Sequence, residues 1–228
     1  MDTIHVIPET YDFPEKPPLI PALLHMIWVG PNEAPAYVEE YKTKWHELMP
    51  TWQIRLWTNA DLTAAEFPHD LLAKINAATS GAQKADLMRY YIIYKFGGTY
   101  VDTDVIPHRS LEPIRGLGPI VLCHDMPYTW AYISIGFLAA VPHHPVLEYA
   151  YQLCLGAIIN TPDINMQTGP RILGEAVWRT PPPAGEKYQS LHCYFFYRNM
   201  VGQVKLDRYY ATADFDARFA SHFYAKMW

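Results

Sequence analysis

The chain has 228 residues, half of them hydrophobic and 14% aromatic, enough for a sizeable core in one α/β domain or two very small ones. Its net charge of −5 argues against nucleic acid as the main partner, because phosphate binding wants a basic face. Three widely spaced cysteines, Cys123, Cys154 and Cys193, make neither a disulfide framework nor a CxxC metal site; they read as reduced core residues in a cytosolic setting.

Residues 1–20 carry Pro8, Pro14, Pro17 and Pro18 and read as an extended arm, lying on the domain or loose in solvent. Acids and prolines stand where a signal peptide would have a basic and then an apolar region, so none is expected. No stretch approaches the roughly 18 apolar residues of a membrane span. The run ALLHMIWVG (22–30) fits a buried first strand ending near Trp28 and Gly30. Val38, Tyr41, Trp45 and Leu48 then recur at helical spacing and predict a helix over 34–49, stopped at Pro50. WQIRLWT (52–58) alternates as a second strand, and a short helix is expected over 70–78. Ser80 can cap a longer helix over 81–96, which Gly97 and Gly98 end in a left-handed turn.

Further strands are expected at 119–124 and 131–141, and a helix buried on one side over 145–159. Thr168-Gly169-Pro170 opens another helix to about Arg179, with proline in its first turn. The last 40 or so residues are aromatic and poorly periodic. No repeat and no boundary interrupts the chain from residue 21 to residue 228. The alternation of strand and helix predicts a single three-layer α/β/α domain with a mostly parallel sheet.

The chemistry concentrates in KFGGTYVDTDV (95–105), where Asp102 and Asp104 stand one residue apart in an apolar run. Bare carboxylates are costly there unless something neutralises them. In a strand, residues i and i+2 share a face, so both can reach one divalent cation held by oxygen ligands. Alternatively, they are turn aspartates bonding their own backbone. On the preceding helix Asp86 and Arg89 lie three apart on one face: a local ion pair, or a polar pair opening into a cleft. Trp28 is either core or, at a strand's carboxyl end, part of a ligand site. His25 and the adjacent His143 and His144 read as structural. Asn165, Gln167 and Thr168 are further candidates on a loop near a substrate.

IPALLHMIWVG (20–30), KADLMRYYIIYKFGGTYVDTDV (84–105), HHPVLEYA (143–150), TGPRIL (168–173) and SHFYAKMW (221–228) together resemble the DXD-containing sugar-binding-region glycosyltransferases, glycosyltransferase family 32. The chain is more distantly similar to the clostridial glucosylating toxins. The resemblance covers about residues 20–228 and is most specific at 84–105. It implies a GT-A fold, a Rossmann-like nucleotide-binding sheet, and transfer of a sugar from a nucleotide-sugar with Mn²⁺ or Mg²⁺, retaining anomeric configuration. It implies that Asp104 ligates the metal directly and that Asp102 reaches ribose or metal-bound water. Asp86 and Arg89 would contact the donor sugar, and Trp28 would stack on the base. His222 would serve as a ligand of the metal or the diphosphate, with Trp228 on the diphosphate. Met227 departs from the family pattern, where serine is common, and Lys226 is then a candidate to meet the diphosphate's charge. His222 and Trp228 also admit a plainer reading as a packed aromatic tail.

Two rivals stand beside this reading. A haloacid-dehalogenase-type phosphatase also has Asp-x-Asp after an apolar strand, but usually near the N-terminus and with Thr or Val where Ile106 stands. A non-catalytic sugar-binding module keeping the fold would have no need of Asp86, Arg89, Asp102 and Asp104 together. UDP-sugars are the first expectation as donor and GDP-mannose the second; the acceptor is a glycan, lipid or protein. A cytoplasmic enzyme of bacterial or viral origin is expected rather than one of the secretory pathway.

Overall fold

The structure, a computed structural model, describes residues 3–8, 11–124, 133–196 and 218–222. Its strands are β1 (Ile4–Ile7), β2 (Leu23–Ile27), β3 (Gln53–Trp57), β4 (Gly98–Val101), β5 (Val105–Pro107), β6 (Ile120–Cys123), β7 (Phe137–Ala140), β8 (Tyr188–Leu191) and β9 (Ala220–His222). Its α-helices are α1 (Ala36–Leu48), α2 (His69–Ala77), α3 (Gly81–Phe96), α4 (Pro145–Gly156), the single turn α5 (Ile164–Gln167) and α6 (Pro170–Arg179).

Seven strands form one sheet in the order β1-β8-β6-β7-β4-β2-β3, while β5 and β9 pair separately. Only β7 runs against its neighbours β4 and β6; the other pairings in the large sheet are parallel. The sheet is apolar on both faces, as a parallel sheet covered by helices must be. Ile27, Tyr100, Ile120, Leu122, Leu138 and Ala140 face a core shared with α2, α3, α4 and α6. Their immediate neighbours Met26, Val101, Val121, Cys123, Phe137 and Ala139 face a second core that contains Val38 and Trp45 of α1. This period of two gives the expected α/β/α sandwich.

The differences from expectation are local. Residues 4–7, inside the segment expected as an arm, form the edge strand β1 because Ile4–Ile7 completes the hydrogen bonding of β8. Three polar-interrupted or very short strands, β1, β8 and β9, carry too little periodicity to be read from sequence. The strand expected over 131–141 narrows to β7, preceded by a single bridge between His124 and Ile133. Ser80 occupies the position before α3, but its side chain makes no capping hydrogen bond. Gly97 and Gly98 do take left-handed φ of 63° and 89°. A Cβ on Gly97 would lie 2.6 Å from Pro142, and one on Gly98 would lie 2.7 Å from Leu23. The double glycine therefore lets α3 end flush against β2 and the β7–α4 turn, which fixes where β4 and the following aspartates begin.

His25 is core. The Trp57 indole N–H donates to its Nδ1 at 3.1 Å, and Gly97 O lies 3.1 Å from its Nε2. His143 adopts φ 59° in the turn, and His144 Nδ1 accepts from Val146 N–H at the start of α4. All three cysteines are buried. Among the described residues no helix is long and apolar enough to cross a membrane.

Candidate active site

The helix α3 packs on the sheet with one side and on α2 and α4 with another, so most of its residues are buried, Asp86 and Arg89 among them. Two charged residues in such a helix must find partners. Arg89 Nη2 lies 3.2 Å from Asp86 Oδ1 and 3.4 Å from Asp102 Oδ1. It also donates to the Tyr100 hydroxyl at 3.2 Å, while Nη1 donates to Ile135 O at 2.8 Å. Tyr100 in turn donates to Asp102 Oδ1 at 2.7 Å. Tyr100 and Asp102, two apart along an extended segment, thus both reach toward α3.

The aspartates themselves correct the sequence expectation. They do not share a strand face: β4 ends at Val101, and residues 102–104 form the turn before β5, closed by Val105 N–H to Asp102 O at 3.2 Å. What brings the carboxylates together is His222. Its strand β9 lies antiparallel to β5 with Val105 opposite His222. Its Nε2 then sits 2.9 Å from Asp104 Oδ1 and 3.4 Å from Asp102 Oδ2. One ligand atom from each of Asp102, Asp104 and His222 lies within 4.8 Å of the others.

The electrostatics follow from burial and these contacts. Burial pushes the Asp86 carboxyl up to about 6 against the opposing pull of Arg89 and Thr168. Burial acts the same way on Asp102, but Arg89 and the His222 hydrogen bond outweigh it and hold the group at about 2. Burial would lower His222; hydrogen bonds to Asp102 and Asp104 reverse this and raise the imidazole to about 9. A proton on Nε2 therefore stands between two carboxylates at neutral pH. Two carboxylate oxygens, joined by the imidazole nitrogen once its proton has left, are a donor set able to hold a divalent cation.

A cleft of about 420 Å³ opens beside this cluster, with Asp86, Arg89 and Asp102 on one wall and Pro162, Asp163 and Asn165 among the lining residues. A second cavity, of about 240 Å³, lies at the carboxyl end of β2 between Trp28, Gly30, Asn32 and the start of α3 at Thr79–Gly81. Trp28 is both core and cavity wall: it is 8% exposed, and its indole N–H donates to Asn32 O at 3.0 Å.

Of the residues singled out from sequence, Asp86, Arg89, Asp102, Asp104 and His222 come together, and Trp28 lines the neighbouring cavity. Lys226 and Trp228 lie outside the described residues. Thr168 donates to Asp86 Oδ2 at 3.0 Å, and Asn165 lines the cleft. Sequence reading passed over Tyr100, whose only signal is its position two residues before Asp102, and the Ile135 carbonyl, which has none.

Residues 35–118 match the family described as "Glycosyltransferase sugar-binding region containing DXD motif". An uncharacterized glycosyltransferase of Acanthamoeba polyphaga mimivirus is 23% identical over 163 residues, 70% of this chain and 65% of that protein. Inositol phosphoceramide mannosyltransferase 2 of Schizosaccharomyces pombe is 26% identical over 145 residues, 59% of this chain and 38% of that protein. The match spans less than two thirds of the length of either relative. In fold, the chain is similar to the PaToxG glycosyltransferase, with a TM-score of 0.58 at 15% identity over 72% of this chain and 71% of that one. The chain is thus similar in sequence, over residues 35–118, to the DXD-containing sugar-binding-region glycosyltransferases, and similar in fold to a solved glycosyltransferase.

Proposed function

We propose that the chain is a metal-dependent, retaining glycosyltransferase that moves a hexose from a nucleotide-sugar to a hydroxyl of a glycan, lipid or protein. The observation that carries this reading is the convergence of Asp102, Asp104 and His222 within 4.8 Å beside the Asp86–Arg89 cleft. Asp104, His222 and Asp102 would hold Mn²⁺ or Mg²⁺, which when bound supplies Lewis-acid stabilisation of the charge on the departing diphosphate. Asp86 accepts hydrogen bonds from sugar hydroxyls, and Arg89 fixes the orientation of both Asp86 and Asp102. Trp28 offers its ring to the base in the cavity at the end of β2. Lys226 and Trp228 are proposed, from the resemblance alone, to meet the diphosphate. Retention of configuration rests on the same ground.

UDP-sugars are the first donors to test. GDP-mannose is the second: the Schizosaccharomyces pombe relatives are named inositol phosphoceramide mannosyltransferases, which supports testing a mannosyl donor and a lipid-borne acceptor. Three widely spaced cysteines, odd in number, suit action in a reducing compartment such as the cytoplasm.

The test is thermal. A ligand binding only the folded state adds about 2.7 kcal/mol at a hundredfold excess over Kd. At about 2–4 °C per kcal/mol for a chain of this size, UDP or GDP with Mn²⁺ should raise Tm by roughly 5–10 °C. Nucleotide or metal alone should do much less, and the Asp102→Ala/Asp104→Ala double variant should lose the synergy. A response to phosphate mimics without regard to base would favour a phosphatase, and one to free sugars without metal a binding module. No shift with either nucleotide in the presence of Mn²⁺ would refute the proposal.

A further inference from the structure

Thr168 is completely buried, yet its hydroxyl is spent on a cleft-lining carboxylate 82 residues earlier in the chain. Its hydrogen goes to Asp86 Oδ2 at 3.0 Å, since the alternative acceptor, Ile164 O, is 3.5 Å away. On the other oxygen, Arg89 Nη2 approaches Asp86 Oδ1 at 3.2 Å. A carboxylate offers roughly two acceptor directions per oxygen. With one taken on each oxygen, Asp86 is held at both ends of its carboxylate and one direction per oxygen is left. That is the pattern for receiving two neighbouring hydroxyls at once.

The segment that carries Thr168 is built to hold this position. The Tyr90 hydroxyl donates to Gly169 O at 3.0 Å, tying the segment to α3 one residue past the Asp86–Arg89 pair. A Cβ on Gly169 would stand 2.8 Å from Asn165 Cα, so the glycine allows α5 to fold back and keep Asn165 at the cleft. Pro170 then starts α6 without needing the amide hydrogen it lacks. Two ties join the segment to α3, but only the one from Thr168 touches a group in the cleft.

We infer that Thr168 is a positioning residue that sets the selectivity of the donor site for the sugar moiety, by locking Asp86 in the plane that accepts a vicinal pair of hydroxyls. The inference rests on the glycosyltransferase reading of the site. It separates two parts of donor binding: the nucleoside diphosphate, which does not need Thr168, and the hexose, which does.

The experiment compares, in the full chain with Mn²⁺, the affinities of UDP against UDP-glucose and of GDP against GDP-mannose by calorimetric titration. The variants are Thr168→Val, Thr168→Ser and Tyr90→Phe. With Asp86 no longer held, its hydrogen bonds to the sugar weaken, and the preferred nucleotide-sugar should bind about tenfold more weakly to Thr168→Val, the fold-change of about 1.4 kcal/mol. Its affinity for the matching diphosphate should stay within about twofold of wild type, well inside the tenfold that 1.4 kcal/mol represents. Thr168→Ser, which keeps the hydroxyl, should restore most of the sugar affinity. Tyr90→Phe loosens the same segment without touching Asp86 and should leave the ratio of nucleotide-sugar to diphosphate affinity as in wild type. Equal losses for sugar and diphosphate in Thr168→Val would overturn the inference, as would a ratio moved as much by Tyr90→Phe. Either result leaves the glycosyltransferase reading standing, because the diphosphate still binds the wild type. If wild type binds neither UDP nor GDP with Mn²⁺, both fall together.

Discussion

Removing Arg89 should destabilise the protein in a way that depends on pH with a definite sign. The side chain is 5% exposed and is shared by Asp86, Asp102, the Tyr100 hydroxyl and the Ile135 carbonyl. Arg89→Leu keeps the apolar stem and deletes the charge, leaving two carboxylates with no guanidinium. Removing one partner of a buried ion pair costs about 3–5 kcal/mol, which for this chain length is a Tm lower by roughly 6–20 °C. Even with Arg89 present, Asp86 sits at about 6 against an ordinary 3.8. That gap of about two pH units is about 3 kcal/mol spent on keeping the group ionised at neutral pH. Without the guanidinium its value must rise further.

A group whose folded value is raised stabilises most below its unfolded value and loses that contribution as pH rises through the folded one. Asp86 therefore makes the Arg89→Leu deficit small near pH 5 and large at pH 8. Asp102, held at about 2 with Arg89 the largest of the influences that lower it, adds a part of the deficit that is already present at pH 5. The assay is Tm of wild type and variant at pH 5, 6, 7 and 8 in one ionic strength. Arg89→Lys keeps the charge but not the planar fork, and should recover part of the stability without the donor affinity. A deficit below about 1 kcal/mol, or one equal at pH 5 and pH 8, would show that Arg89 is not what holds these carboxylates ionised.

Two further outcomes are expected. Trp28→Ala should lose roughly 3–5 kcal/mol of stability as a core residue and also weaken nucleoside diphosphate binding by about 1–3 kcal/mol, with Trp28→Phe intermediate; a fall in Tm with affinity unchanged would reduce Trp28 to core packing. In acid, His25 and His144, both held at about 4 mainly by burial against an ordinary 6.5, should lose stability as pH falls from 6.5 through 4, about 3 kcal/mol each at the limit, with Asp86 offsetting part below pH 6. The urea midpoint measured over that range checks this: His144→Asn, which keeps an acceptor for Val146 N–H, should reduce the pH slope by about one proton, and an unchanged slope would contradict the assignment.

The legible parts of the fold were those whose sequence carries its own structural cause. α3 is bounded by a glycine pair that only left-handed turns require, and α1 shows four apolar residues at helical spacing before Pro50. β8 and β9 were illegible because their sequences, YQSL and ASH, owe their strand form to neighbours already in place. The same division runs through the site. Asp86 and Arg89 could be paired because a helix fixes their spacing. The Thr168–Asp86 and Asp104–His222 contacts span 82 and 118 residues, and no local rule connects such positions.

The DXD motif itself shows how far a sequence pattern reaches. As letters, Asp102 and Asp104 are equivalent, and alternation along a strand would have made them so in space. The turn breaks that equivalence. Asp102 gives Oδ1 to Tyr100 and Arg89 and Oδ2 to His222, so one carboxylate belongs both to the Asp86–Arg89 cleft and to the carboxylate–imidazole cluster. Asp104 faces His222 through Oδ1. Exchanging the proton that His222 holds for a divalent cation would add one net positive charge to this carboxylate cluster. Because Asp102 is common to both sides, a change in what His222 holds alters the field felt by Arg89 and Asp86 through a single rigid carboxylate. Asp102→Asn, which keeps the shape and removes the charge, should therefore weaken Mn²⁺ and nucleotide-sugar binding together, whereas Asp104→Asn should act first on the metal; equal effects of the two substitutions on both ligands would mean that the two aspartates are interchangeable after all.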